Sequence, residues 1–173
     1  MSADDAEGRD RVRPQLGSDP RLDLETPLTP GDAVAALIVV DGHYLLQLRD
    51  MKHGIFFPGH WGCFGGGVDP GETSEQALAR ELVEELGLEL DAGGLAPFTR
   101  FDFDFGFAGR RPIRRIFYEV AATRAELSRM TLGEGAEMRL FAPEAILTHA
   151  IEMTPYDAFA LWMHINQRRL MKK

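Results

Sequence analysis

At 173 residues the chain is long enough for one domain with a sizeable core and too short for two ordinary ones. Its 45% hydrophobic and 27% charged content is that of a soluble globular protein, and a formal net charge of −8 argues against a nucleic-acid surface held by backbone charge. With Cys63 as its one cysteine no internal disulfide can form, and the longest aliphatic run, residues 33–40, is too short to span a bilayer.

The stretch MSADDAEGRD at the N-terminus lacks the basic start and apolar run of a signal peptide, so a cytoplasmic location is expected. Residues 1–32 are polar and broken by Pro14, Pro20, Pro27 and Pro30. Their composition predicts a tail or arm outside a domain of residues 33–173, and such an arm is able to join two copies into a homodimer. The body opens with AVAALIVV, 33–40, a buried strand by its β-branched content. DGH at 41–43 signals a hairpin and YLLQLRD returns as a second strand. Residues 50–62 form a loop holding Gly54, Pro58 and Gly59.

The segment FGGGVDPGETSEQALARELVEELGL, 64–88, takes a glycine-rich turn into an acidic helix. Thr73 or Ser74 caps it, with Glu75 or Gln76 in the first turn, and Gly87 ends it. At 100° per residue Leu78, Leu82 and Leu86 share an arc of about 80° that should face the core. Glu85 then lies about 20° outside this stripe, Glu81 about 60° and Glu84 about 120°, all on one side. Two carboxylates 4 Å apart repel by roughly 4 kcal/mol at an effective dielectric of 20. A divalent cation reverses that sign, and hard oxygen donors favour magnesium or manganese. Arg80 points away from the stripe and reaches either Glu84 or back to Glu72, bracing the loop against the helix. Gly65, Gly66 and Gly67 let the backbone approach a ligand.

Further on, FDFDFGF places Phe101, Phe103, Phe105 and Phe107 on one strand face and Asp102 and Asp104 on the other. The aspartate face is either solvated or reads a nucleobase. GRRP turns into a partner strand, IRRIFYEVAAT, so Arg110, Arg111, Arg114 and Arg115 form a solvated hairpin end or a phosphate-contacting patch. MRLFAPEAILTHAI reads as a short strand and then a helix from Pro143. In the last segment Thr154 is an N-cap, Pro155 suits the first helical position and Asp157 favours the positive helix end. His43, His53, His60, His149 and His164 show no ligand spacing and read as surface or loop residues.

Residues 66–88 fit G-x5-E-x7-R-E-U-x-E-E-x-G-U, U being a bulky aliphatic, through Gly66, Glu72, Arg80, Glu81, Leu82, Glu84, Glu85, Gly87 and Leu88. At ordinary residue frequencies the chance per start is roughly 10⁻¹⁰, which sets aside a merely solvated acidic helix. The pattern resembles the signature of the Nudix hydrolase family. Looser similarity extends over about 33–170. That resemblance implies an α/β (α+β) domain with a mixed β-sheet sandwiched between helices. It implies a magnesium-dependent hydrolase that splits the pyrophosphate of a nucleoside diphosphate linked to another group, a nucleoside triphosphate or a nucleotide sugar.

Carried over by position, the resemblance makes Glu81, Glu84 and Glu85 the catalytic, metal-binding acids, with Glu81 or Glu85 polarising water. It makes Gly66 a carbonyl ligand and Glu72 with Arg80 the structural brace. A further acid from a later loop would be Glu134 or Glu137. Arg49, at the end of the strand leading into the site, either holds a phosphate or is a surface residue, and Phe64, Gly65 and Gly66 would contact the substrate. The run Trp61-x-x-Phe64-Gly65-Gly66-x-Val68 is similar to Nudix enzymes that clear oxidised purine nucleoside triphosphates. It departs from them at Gly62, where a base-recognising asparagine stands in the mammalian enzyme of that type. Two other readings share the fold: a catalytically silent nucleotide-binding sensor, and an isomerase of allylic diphosphates using Cys63. The expected partner is a small nucleotide, with neither nucleic acid nor membrane.

Overall fold

The computed structural model describes residues 32–91, 93–104 and 112–171. Residues 1–31 of the expected arm 1–32, together with Phe105, Phe107, Arg110 and Arg111, lie outside the described residues. The apolar run at 33–40 forms β1 (Ala33–Val40) and occupies the middle of a mixed sheet. β2 (His43–Leu48) returns antiparallel to it. Asp41 and Gly42, at φ 48° and 77°, make the two-residue turn that suits the strand twist. Within the expected loop, Trp61–Gly62 pairs as a short β3 with the last residues of β2. β5 (Ile113–Ala121) runs parallel to β1, β4 (Ala96–Phe103) is antiparallel to β5, and β6 (Glu137–Phe141) covers the outer edge of β2.

The sheet is wrapped by α1 (Ser74–Leu86) on one face and α4 (Pro155–Met171) on the other, with α2 (Arg124–Leu127) and α3 (Pro143–Leu147) as short connectors. Side chains alternate across a strand. Val34, Ala36, Ile38 and Val40 therefore pack with Leu78, Leu82 and Leu86 of α1. Ala35, Leu37 and Val39 pack with Ala160, Leu161 and Ile165 of α4. The α/β/α sandwich and its leucine stripe are as expected, with all three leucines fully buried. Leu82→Ala should cost about 2–5 kcal/mol, the range for truncating a buried leucine. Urea denaturation measures this, and a loss below about 1 kcal/mol would show that α1 is not clamped by this stripe.

One edge of β1 is shared. Its second half pairs with β2, while its first half takes the glycine segment, through Val34 N–H to the Gly66 carbonyl and Ala36 N–H to that of Phe64, both 2.9 Å. The sheet thus splits beside the start of β1, and the glycine turn lies in the split.

Three expectations are corrected here. Arg115 is no solvated hairpin residue: it is 8% exposed and paired to Asp157, Nε to Oδ1 at 3.1 Å. Arg114 does sit at the hairpin flank, held by Asp102 at 3.1 Å, so that this aspartate is engaged within the sheet. Asp157 is more than a helix-end acid, being buried as a hub. His164 is also buried, accepting or donating between the Tyr44 hydroxyl at 2.8 Å and Glu119 at 2.7 Å. Its partners lie 120 and 45 residues away in the chain, beyond any local spacing rule. Among the described residues no helix is long and apolar enough to cross a membrane.

Candidate active site

Thr73 is the N-cap of α1. Its hydroxyl accepts from Gln76 N–H and the Gln76 side chain accepts from Thr73 N–H, a complete capping box. Gly87 closes the helix at φ 63°, where its own N–H and that of Leu88 satisfy the carbonyls of Val83 and Leu82. With the leucine stripe fixed on the sheet, the angular order of the acids follows. Glu85, nearest the stripe, is 5% exposed. Glu81 is half-buried, and the Glu84 side chain is 60% exposed.

Glu85 is held on both oxygens, by Gln47 Nε2 at 3.1 Å and by Gly65 N–H at 2.7 Å. Burial pushes its carboxyl up to about 7; the two hydrogen bonds oppose the rise and the charges of Glu81 and Glu134 add to it. Glu81 is raised as well, chiefly by burial, against the pull of Arg80.

Arg80 makes the brace. Its Nε and one amino group grip Glu72 at 2.9 and 3.0 Å, and the same amino group donates to the Gly67 carbonyl at 3.0 Å. The other amino group reaches Glu81 at 2.8 Å and Glu84 at 3.5 Å. Both alternatives open in the sequence are therefore realised. The Arg80 hydrogen bond holds the Glu72 carboxyl below its usual range. A depressed carboxylate pKa contributes stability above the unfolded value near 4.5 and loses it as pH falls through the folded pKa. Glu72→Gln should accordingly lower Tm at pH 7 with or without magnesium, and the gap to wild type should close below pH 4.5. Equal melting temperatures at pH 7 would remove the brace.

The glycine turn fits because it carries no side chains. Gly65 adopts φ 125°, and a Cβ there would stand 2.4 Å from the Val34 carbonyl oxygen. A Cβ on Gly66 would stand 2.4 Å from a Glu81 carboxylate oxygen. The Gly66 carbonyl already accepts from Val34 N–H, which leaves one lone pair for another donor or a cation. From the other side, residues 131–136 lie on the end of α1. Thr131 and Gly133 N–H donate to the carbonyls of Leu86 and Glu85, and Ala136 N–H donates to that of Leu48. This loop carries Glu134.

These pieces border a cleft of about 400 Å³ that holds Glu81, Glu85, Glu134, Arg49 and Lys52 together with Gly65 and Gly66. Gln47 and Tyr156 also line it and were not singled out in the sequence, while Arg115, expected at a solvated hairpin end or in a phosphate-contacting patch, lines it as well. A glutamine in a strand and an arginine in a hairpin give no local signal of what they face. Arg49 does border the cleft, anchored by Nε to the Phe56 carbonyl at 2.9 Å.

Three expected residues fall elsewhere, the first being the exposed Glu84 on the outer side of α1. Phe64 is fully buried in the α1-side core, because it bridges to Ala36 and shares that residue's face. Glu137 heads β6 opposite Leu48, is engaged with Arg139 and does not line the cleft. Cys63 is buried in the α4-side core and burial pushes its thiol well up, which does not suit it to chemistry. At Gly62 a Cβ would lie 2.9 Å from an Asp157 oxygen, so the position has no room for a larger residue.

Oxygen donors only, two of them carboxylates destabilised by burial and mutual charge, suit a hard divalent cation in kind. The expected carboxylate cluster is corrected in its geometry. Among the described residues no three acidic, histidine or cysteine side chains converge on one point. Arg80 holds Glu81, Gln47 and Gly65 hold Glu85, and Glu84 faces outward.

A match to the NUDIX domain covers residues 29–162, and the chain belongs to the Nudix family. Over 66 residues it is 48% identical to the nucleoside triphosphatase NudI of Salmonella agona (strain SL483), a stretch making up 38% of this chain and 46% of that protein. The match has the same extent and identity in NudI of Salmonella newport (strain SL254), so it spans about half the length of these relatives. The fold resembles the solution structure of the E. coli ORF135 protein, with TM-score 0.63 and 27% identity, covering 82% of this chain and 92% of that one. It also resembles the MutT NUDIX hydrolase from Burkholderia pseudomallei, with TM-score 0.61 and 25% identity over 79% of this chain and 97% of that one.

Proposed function

We propose that the chain is a magnesium-dependent pyrophosphohydrolase, manganese being an alternative metal, that acts on nucleoside triphosphates, with nucleotide sugars as the second substrate class. The observation that carries this reading is one cleft in which Glu81, Glu85 and Glu134 stand with Arg49 and Lys52. The choice of nucleoside triphosphates is supported by the similarity to the NudI proteins.

Glu81, Glu85, Glu134 and the Gly66 carbonyl would hold the cation, with Glu84 at the rim. When bound, it would supply charge neutralisation on non-bridging phosphate oxygens and a more acidic water. The chain's own residues supply position. Gln47 and Gly65 fix Glu85, Arg80 holds Glu81 beside the cleft, and Arg49 and Lys52 offer cationic charge to a phosphate chain. Glu81 or Glu85 takes the proton of the attacking water.

The experiment is a screen of nucleoside triphosphates, nucleotide sugars and dinucleotides with magnesium, reading pyrophosphate, phosphate and mononucleotide. Release of a mononucleotide with pyrophosphate from at least one triphosphate, abolished by chelator, is expected. Inertness toward every compound would overturn the hydrolase reading.

A further inference from the structure

We propose that Arg115 reads the substrate's base, taking an edge with two adjacent acceptors: O6 and N7 of guanine, or O2 and N3 of cytosine. The inference rests on the nucleotide reading above and deepens it.

The cleft passes the split end of the sheet, so its two parts lie on opposite faces. Glu81 and Glu85 belong to α1, and the loop carrying Glu134 lies on the end of that helix. Arg115 sits opposite Ala33 in register, two residues before Phe117, which packs in the α4-side core. The sheet edge therefore separates Arg115 from the carboxylates. Lys52, paired with Asp50 at 2.5 Å, borders the same cleft as the acids. Beside Arg115 the cleft wall is the Tyr156 ring, which Phe57 and then Phe56 adjoin, aromatic surfaces of the kind that accept a planar ring.

Arg115 is also held in one orientation. Its Nε donates to Asp157 Oδ1 at 3.1 Å. The other oxygen of Asp157 accepts from Cys63 N–H at 3.0 Å and from the Thr154 hydroxyl at 2.8 Å, so the carboxylate has no freedom to swing. The Tyr156 ring lies 5.1 Å from the guanidinium carbon, and that ring is itself wedged between Phe57 and Phe103. Only Nε has a hydrogen-bond partner among the described residues, yet none of their buried side-chain nitrogens is unsatisfied. The two amino groups therefore open onto the cleft that Arg115 lines.

A rigid fork of donors selects paired acceptors. Adenine sets an amino donor beside N7, and uracil sets an N–H between its two carbonyls, so each meets the fork with one donor against another. A fixed guanidinium beside an aromatic ring suits a base better than a flexible phosphate chain, for which Lys52 and Arg49 border the same cleft.

The test is calorimetric titration of the full chain without metal, wild type and Arg115→Lys, with GMP, CMP, AMP, UMP and inorganic tripolyphosphate. Lysine keeps a cation against Asp157 but loses the fork, and matched circular dichroism checks the fold. Wild type should bind GMP or CMP at least about tenfold tighter than AMP and UMP, within the range of a good bidentate contact. Arg115→Lys should bring that ratio within about threefold and leave tripolyphosphate affinity unchanged. An unchanged ratio, a uniform fall for all bases, or a fall confined to tripolyphosphate would overturn the assignment. Because binding is read without turnover, inertness in the hydrolysis screen and loss of base preference are separate results.

Discussion

Glu85→Gln is expected to slow turnover at least about a hundredfold at limiting magnesium, some 2.7 kcal/mol of barrier. The substitution keeps size and packing and removes one charge from a carboxylate that is held on both oxygens and almost fully buried. Gly65 N–H can still donate to the new amide oxygen, and Gln47 can turn its own amide to receive the new N–H. The apo fold should gain. With the folded carboxyl near 7 and the unfolded one near 4.5, ionised Glu85 opposes folding. A raised carboxylate pKa leaves stability intact below pH 4.5 and removes it as pH rises through 7, by an order of 3 kcal/mol. In chelator, wild type should therefore weaken between pH 4.5 and 7 while Glu85→Gln stays flatter, and added magnesium should stabilise the variant less. Wild-type turnover in Glu85→Gln would exclude Glu85 as a ligand.

Asp157→Ala is expected to produce the largest loss of stability, about 3–5 kcal/mol, because it strands a buried guanidinium. Asp157 is 1% exposed and receives hydrogen bonds from Arg115, Cys63 and Thr154. Its removal leaves the Arg115 charge without a counterion and the Cys63 amide without its acceptor. The double variant Asp157→Ala with Arg115→Met should recover a large part of the loss, since no charge is then stranded. Urea denaturation of both proteins decides it. If the single variant loses less than about 1 kcal/mol, or the double variant is weaker than the single, the ion pair is not what holds α4 to the sheet.

What the sequence disclosed and what it hid divide along the distance between partners. α1 was legible because its cap, leucines and closing glycine lie within fifteen residues and the leucines obey a 3.6-residue period. β1 was legible as an unbroken apolar run, and the brace because Glu72 and Arg80 are eight apart. Arg115 was read as a hairpin-end or phosphate-contacting cation and Asp157 as a helix-end acid, because a charge gives no sign of burial unless its counterion is known, and here the two lie 42 residues apart. Phe64 was misplaced for a different reason. Its motif position pointed to ligand contact, while its pairing with Ala36 turns the ring into the core. Glu134 and Glu137 could not be told apart until the loop contacts were seen.

Those contacts have a consequence for how tolerant the active region is to change. The loop carrying Glu134 is attached to α1 and β2 by three main-chain N–H groups and by Leu132, which packs on the α1-side core, and not by Glu134 itself. Gly133 is excluded from substitution, since a Cβ would strike the Glu84 carbonyl at 2.4 Å, and Gly135 by its φ of 93°. The loop thus behaves as a cassette with two invariant joints. The acid it presents can be exchanged, shortened or neutralised without disturbing the frame, which makes this edge of the cleft the natural place to retune metal preference while the fold stays constant.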